Sequence, residues 1–166
     1  MIVLEIKKNR QMISSLSKNK GLSMTTQELL QQLQIEEHEL KQLVDTLVEN
    51  HVVVRKGESV GLNSEGYRKI VQNELPVVWG VVEKLKSIYD RISSVSVYNS
   101  PSLTDLSTGT IIIITDTDSE KLIYQILQET DLDQYKILIL TKSQLLQFFE
   151  ANKEDINKDN QLEILL

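Results

Sequence analysis

The chain has 166 residues, 40% of them hydrophobic and 25% charged, ordinary for a soluble globular protein and enough for one domain or two small ones. No apolar run approaches the ~20 residues that span a bilayer, and the lack of cysteine excludes a disulfide framework, a thiolate metal site and a cysteine nucleophile. The net charge of −6 is uneven, with 10 Lys+Arg against 9 Asp+Glu in residues 1–72 and 8 against 15 in residues 73–166. An acidic half repels phosphate backbones and a near-neutral half attracts them weakly, so DNA contact falls to the first half and calls for two copies. At the N-terminus the apolar residues precede KKNR, the reverse of a secretory signal, which makes a cytoplasmic location the expectation.

Ile2 to about Leu16 reads as a helix through Ile2, Ile6, Ile13 and Leu16, with Gly21 as its stop or the loop after it. Thr25 and Glu28 have capping-box spacing ahead of a helix from Gln27 to about Leu33. After a break at Gln34-Ile35, residues Leu40, Leu43, Val44, Leu47 and Val48 follow the 3-4-3-4 spacing of an amphipathic helix. His51–Lys56 has a β-branched core, Gly57-Glu58-Ser59 supplies a turn, and Val60-Gly61-Leu62 is a return strand. Asn63 or Ser64 then caps a helix through Val71. Helix, helix, tight turn, helix, two-stranded wing, helix is the order of a winged helix-turn-helix.

The run TTQELLQQLQIEEHELKQLVDTLVENHVVVRKG, closed by LNSEGYRKI, resembles the winged helix-turn-helix regulators of bacteria and archaea over residues 2–72. There a "T-x-x-E-L" helix precedes a Leu/Val-spaced helix, then "V-V-x-R" and "L-T-x-E-G". The resemblance implies that the helix carrying Glu37, His38, Lys41, Gln42 and Thr46 lies in a major groove, with Arg55 and Lys56 on phosphates. Glu36, Glu37, Glu39 and Asp45 crowd that helix and favour a protein partner instead, although the first three also suit a helix N-terminus. His51 reads as structural.

Asn73-Glu74-Leu75-Pro76 breaks the fourth helix, and another runs from about Pro76 to Arg91. Strands follow at Val95–Tyr98, Thr110–Thr115 and Lys136–Leu140, with a polar loop over 99–109 and helices from Ser119 to about Glu129 and from Thr141 through Phe149. One small sheet with helices results, an α/β layer within an α+β chain. Over residues 76–150 this half is similar to the minimal nucleotidyltransferase fold, in which "G-S" and then "S-D-x-D" hold Mg²⁺. Those motifs fall on Asn99-Ser100 and on Ser107-Thr108-Gly109-Thr110. The resemblance thus implies a pseudoenzyme, because the neutral hydroxyls of Thr108 and Thr110 replace the anionic ligands of a hard cation.

Asp116 and Asp118 leave a strand beside a helix start, where they suit either a metal ion or, more plainly, a loop and a cap at Ser119. No glycine-rich phosphate loop, His-x-x-x-His pair or Ser/His/Asp set occurs. The domains expected are therefore 1–74, 75–151 and a polar tail over 152–166 whose apolar end, Leu162–Leu166, adds an edge strand, covers the sheet or binds a partner. A DNA-binding transcriptional regulator with an inactive sensing or dimerising domain is expected, as a homodimer without cofactor, metal or membrane. The alternatives are a protein-interaction or antitoxin-like module, and last an active nucleotidyltransferase.

Overall fold

A computed structural model describes residues 3–98, 108–116, 118–152 and 161–164. The architecture is mixed α and β with two small sheets, and the chain divides into compact units at Met1–Glu74 and Leu75–Leu166.

The first unit does not begin with the continuous helix expected from Ile2. Val3–Glu5 forms a 3₁₀ turn, Ile6 is extended, and helix α1 spans Lys7–Lys18. Tertiary bonds account for the break. The Glu74 carboxylate accepts the N–H groups of Val3 (2.6 Å) and Leu4 (2.7 Å). Asn9 Nδ2 donates to the Val3 carbonyl (3.0 Å), and Arg10 Nη1 to those of Leu4 (2.9 Å) and Glu5 (2.8 Å). A helix from Ile2 would need those carbonyls for itself. Burial depresses the pKa of the Arg10 guanidinium, and among the described residues its Nε has no hydrogen-bond partner.

Gly21 turns the chain at φ +79 into a strand not expected from the sequence, β1 at Ser23–Thr25. Helix α2, Thr26–Leu33, opens with the capping box: Thr25 Oγ1 accepts from Glu28 N–H (3.2 Å) and Glu28 from Thr25 N–H (2.8 Å). Gln34 ends it in the left-handed region, and α3 runs over Glu37–Glu49 with Leu40, Val44 and Leu47 buried. His51, at φ +60, leads into β2 (Val53–Lys56), which pairs with β3 (Ser59–Leu62) around Gly57-Glu58. Because β1 also pairs with β3, the sheet is three-stranded and antiparallel in the order β1-β3-β2. Asn63 Oδ1 accepts from Gly66 N–H (3.3 Å), so Asn63 rather than Ser64 caps α4, Ser64–Glu74.

In the second unit, Pro76 occupies the first turn of α5 (Pro76–Lys84), where its missing N–H costs nothing. This helix is shorter than its apolar pattern implies, giving way to a 3₁₀ turn over Lys86–Arg91 with Ile88 at φ −128. The strands are β4 (Ile92–Tyr98), β5 (Gly109–Thr115), β6 (Tyr135–Leu140) and β7 (Gln161–Ile164), in the order β6-β5-β4-β7. Strand β5 is parallel to β6 and antiparallel to β4, and every residue of it is buried, which explains the uninterrupted run Ile111–Ile114. Helix α6 spans Glu120–Leu127 and α7 spans Lys142–Ala151, the latter behind a capping box of Thr141 and Gln144.

The stretch 152–166 is not simply a polar tail. Asn152 caps α7 with its N–H on the Phe148 carbonyl, and Gln161–Ile164 is β7, antiparallel to β4, with Leu162 and Ile164 buried. Of the readings left open for the C-terminal apolar patch, an edge strand is the one found.

Candidate nucleic-acid interface

Burying Leu40, Val44 and Leu47 leaves three strips of α3 to face outward. Toward the hairpin, Glu37 and Lys41 line a groove of about 410 Å³ whose other walls are Thr26 and Leu30 of α2 and Arg55, Glu58 and Val60 of β2, β3 and their turn. Toward α1, Glu39, Gln42, Leu43 and Thr46 line a smaller groove of about 210 Å³ with Ile6, Lys8 and Asn9. Between them lies an exposed ridge of His38, Lys41 and Gln42.

The residues singled out from the sequence are therefore only partly assembled into one surface. Lys41 and Arg55 share the hairpin-side groove, whereas Gln42 and Thr46 look toward α1. The Thr46 hydroxyl donates to the Gln42 carbonyl within the helix (3.0 Å). His38 is exposed, with Nδ1 3.6 Å from the Glu36 carboxylate. Lys56 is exposed at the end of β2, its ammonium lying along Gly61 of β3.

Two ion pairs reduce the positive character of this face, and periodicity shows neither. Arg55 is held by Asp45 of α3, so the hairpin arginine is already half neutralised by the helix beside it. Lys8 of α1 donates to Glu39 at 2.5 Å. That hydrogen bond, with the lysine charge, holds the Glu39 carboxyl below its ordinary pKa. Residues 36–49 carry Glu36, Glu37, Glu39, Asp45 and Glu49 against the single cation Lys41. No side chain caps α3, so the acids of its first turn act through the helix dipole.

Of the motif positions in the second unit, Asn99, Ser100 and Ser107 lie outside the described residues. Thr108 is exposed just ahead of β5, and Thr110 is buried within it, opposite Tyr98 and Lys136. Asp118 is not the cap of α6. Its N–H donates to the Asp116 carboxylate (3.2 Å), and Ser119 holds the N-cap position without a side-chain bond. Among the described residues no three His, Asp or Glu side chains gather where a metal ion would sit, and no helix is long and apolar enough to cross a membrane.

No family model, no curated protein and no solved structure matches this chain.

Proposed function

We propose that the first unit is a winged helix-turn-helix that binds DNA and that the chain is a transcriptional regulator, with the second unit serving dimerisation or sensing rather than catalysis. The observation that carries this reading is the placement of α3. It follows α2 across the short turn at Gln34, presents His38, Lys41 and Gln42 on an open ridge, and has beside it a hairpin ending in Arg55 and Lys56. A helix so exposed enters a major groove, where lysine donates to guanine and glutamine pairs with adenine, while the hairpin reaches the flanking phosphates. With few cations per copy, affinity depends on two copies bound to a two-fold site. In the second unit, Thr108 and Thr110 stand where the nucleotidyltransferase resemblance needs carboxylates, which supports a role without catalysis.

A second reading is favoured by one observation. The five carboxylates of residues 36–49, with Arg55 engaged by Asp45, suit a basic protein surface better than a phosphate backbone.

The deciding experiment is a salt-titrated binding assay on fragments of the source genome with random competitor. Regulator function gives enrichment of particular fragments that fades as salt rises. Lys41→Ala and Gln42→Ala then change sequence preference, and Arg55→Ala with Lys56→Ala weakens binding to every sequence. No retention at low salt rejects the DNA reading and leaves the protein-partner one.

A further inference from the structure

Strand β6 is an edge of the second unit's sheet, and among the described residues nothing pairs with its outer side. Natural edges are blunted by charge, proline or a bulge. Here the strand is Tyr-Lys-Ile-Leu-Ile-Leu with one charge, Lys136, and unbroken register to β5. Whereas β5 is wholly buried, Ile137, Leu138 and Leu140 of β6 are only half-buried. On the face of Leu138 and Leu140, opposite to that of Ile137, Phe148 and Phe149 of α7 pack against Tyr98, Ile112 and Ile114 and also remain partly open, and Leu146 of the same helix is 69% exposed. Among the described residues, an apolar strip along β6 and α7 is thus left without cover.

We propose that a second copy of the chain covers this strip, with β6 pairing antiparallel to β6 across a two-fold axis to join the two sheets. Charge at the two ends of the strand selects this occupant. Asp131 and Asp133 precede β6 and Lys142 follows it, and among the described residues neither the Asp133 carboxylate nor the Lys142 ammonium has a partner within the chain. An antiparallel mate sets the acidic end of each copy on the basic end of the other, twice; a parallel mate sets like on like. The pleat narrows the register, since residues directly opposed in an antiparallel pair share a face. The central registers that keep Leu138 and Leu140 on the α7 side oppose either Leu138 to Leu138 or Ile137 to Ile137. Both bring the acidic end of one copy, Asp131 and Asp133, alongside the Lys142 end of the other. The inference supplies the surface for the two-copy protein of the proposed reading, but it is measured without DNA, so either can fail alone.

The test is sedimentation velocity of the full chain across a wide dilution series, with Lys142→Glu, Asp133→Lys and the double variant. Lys142→Glu places an acid in the first turn of α7, which the helix dipole favours. Asp133 has φ +50, so lysine fits poorly there; melting is followed alongside, and Asp133→Asn, which tolerates that backbone, gives a smaller weakening in the same direction. The expected result is a concentration-dependent dimer, weakened about tenfold by each reversal and restored in the double variant. Hydrogen exchange protects the outward amides of 136–140 in the dimer and loses that protection on dilution. A monomer throughout, a dimer indifferent to the reversals, or singles not relieved by the double overturns the proposal. So does a monomer whose 136–140 amides stay protected, because the chain itself then covers the edge.

Discussion

Asp45 of α3 is ion-paired with Arg55 of β2, ten residues further along the chain and across the gap between helix and hairpin. Both side chains are partly exposed, so the pair contributes well under 1 kcal/mol to stability. Its larger consequence is electrostatic, because it offsets the charge of the one arginine on the hairpin.

Asp45→Asn should release that charge. On the DNA reading, affinity for random-sequence duplex rises a few-fold, and the plot of log affinity against log salt steepens by about 0.9 for each phosphate that the released arginine engages. An unchanged slope in DNA that the protein does bind means that Arg55 reaches no phosphate.

Glu74 anchors the start of the chain by accepting the N–H groups of both Val3 and Leu4. Glu74→Gln keeps one acceptor oxygen and turns an amide NH₂ toward the other N–H, costing roughly 1–3 kcal/mol. For a unit of this size each kcal/mol lowers the melting temperature by about 4–8 °C. A melt identical to the parent would mean that burial of Val3 and Leu4 and the bonds from Asn9 and Arg10 hold the 3₁₀ turn without Glu74.

Gly66 lies against the turn between α3 and β2, where an added Cβ would stand 1.8 Å from the His51 carbonyl oxygen. Backbone, not a flexible side chain, blocks the space. Gly66→Ala should therefore destabilise the first unit by about 3 kcal/mol through forced displacement of α4. A neutral substitution in denaturant unfolding contradicts this packing.

Tyr98 makes an edge-to-face contact with Phe149, and burial first, then the charge of Glu163, raise its phenol pKa above the ordinary value. For an acid bound more tightly to its proton when folded, the stabilisation is complete below the unfolded pKa of about 10 and is lost as pH rises through the folded value. Melting temperature should fall as pH passes about 10, and Tyr98→Phe should make that fall shallower. Equal slopes in the two proteins would show that the phenol is not the group responsible.

The elements legible in the sequence were those fixed by local chemistry. The capping boxes at Thr25/Glu28 and Thr141/Gln144 form as their spacing implies, since each involves only one helical turn. The Leu/Val period of α3 and the apolar run of β5 likewise record which faces are covered. By residue type Asn63 and Ser64 both suit the cap of α4, and only the hydrogen bond from Gly66 selects Asn63.

What escaped a reading of the residues depends on groups far apart in the chain. The 3₁₀ turn ahead of Ile6 is anchored by Glu74, 70 residues from Leu4. Lys8 meets Glu39 across 31 residues and Arg55 meets Asp45 across 10, so the candidate interface carries less free charge than its residues imply. Strand β1 is short and exists because a neighbour supplies its hydrogen bonds, which no pattern within three or four residues encodes, and the same dependence on a neighbour left β7 as one of three readings of the C-terminal apolar patch. Sequence alone thus determined the helices, the central strands and the uneven charge, all set by residues within a turn or two of one another. Tertiary structure decided which charges are already paired, where helices stop short and which apolar strip the described residues leave uncovered, because each requires knowing which distant segments share a surface.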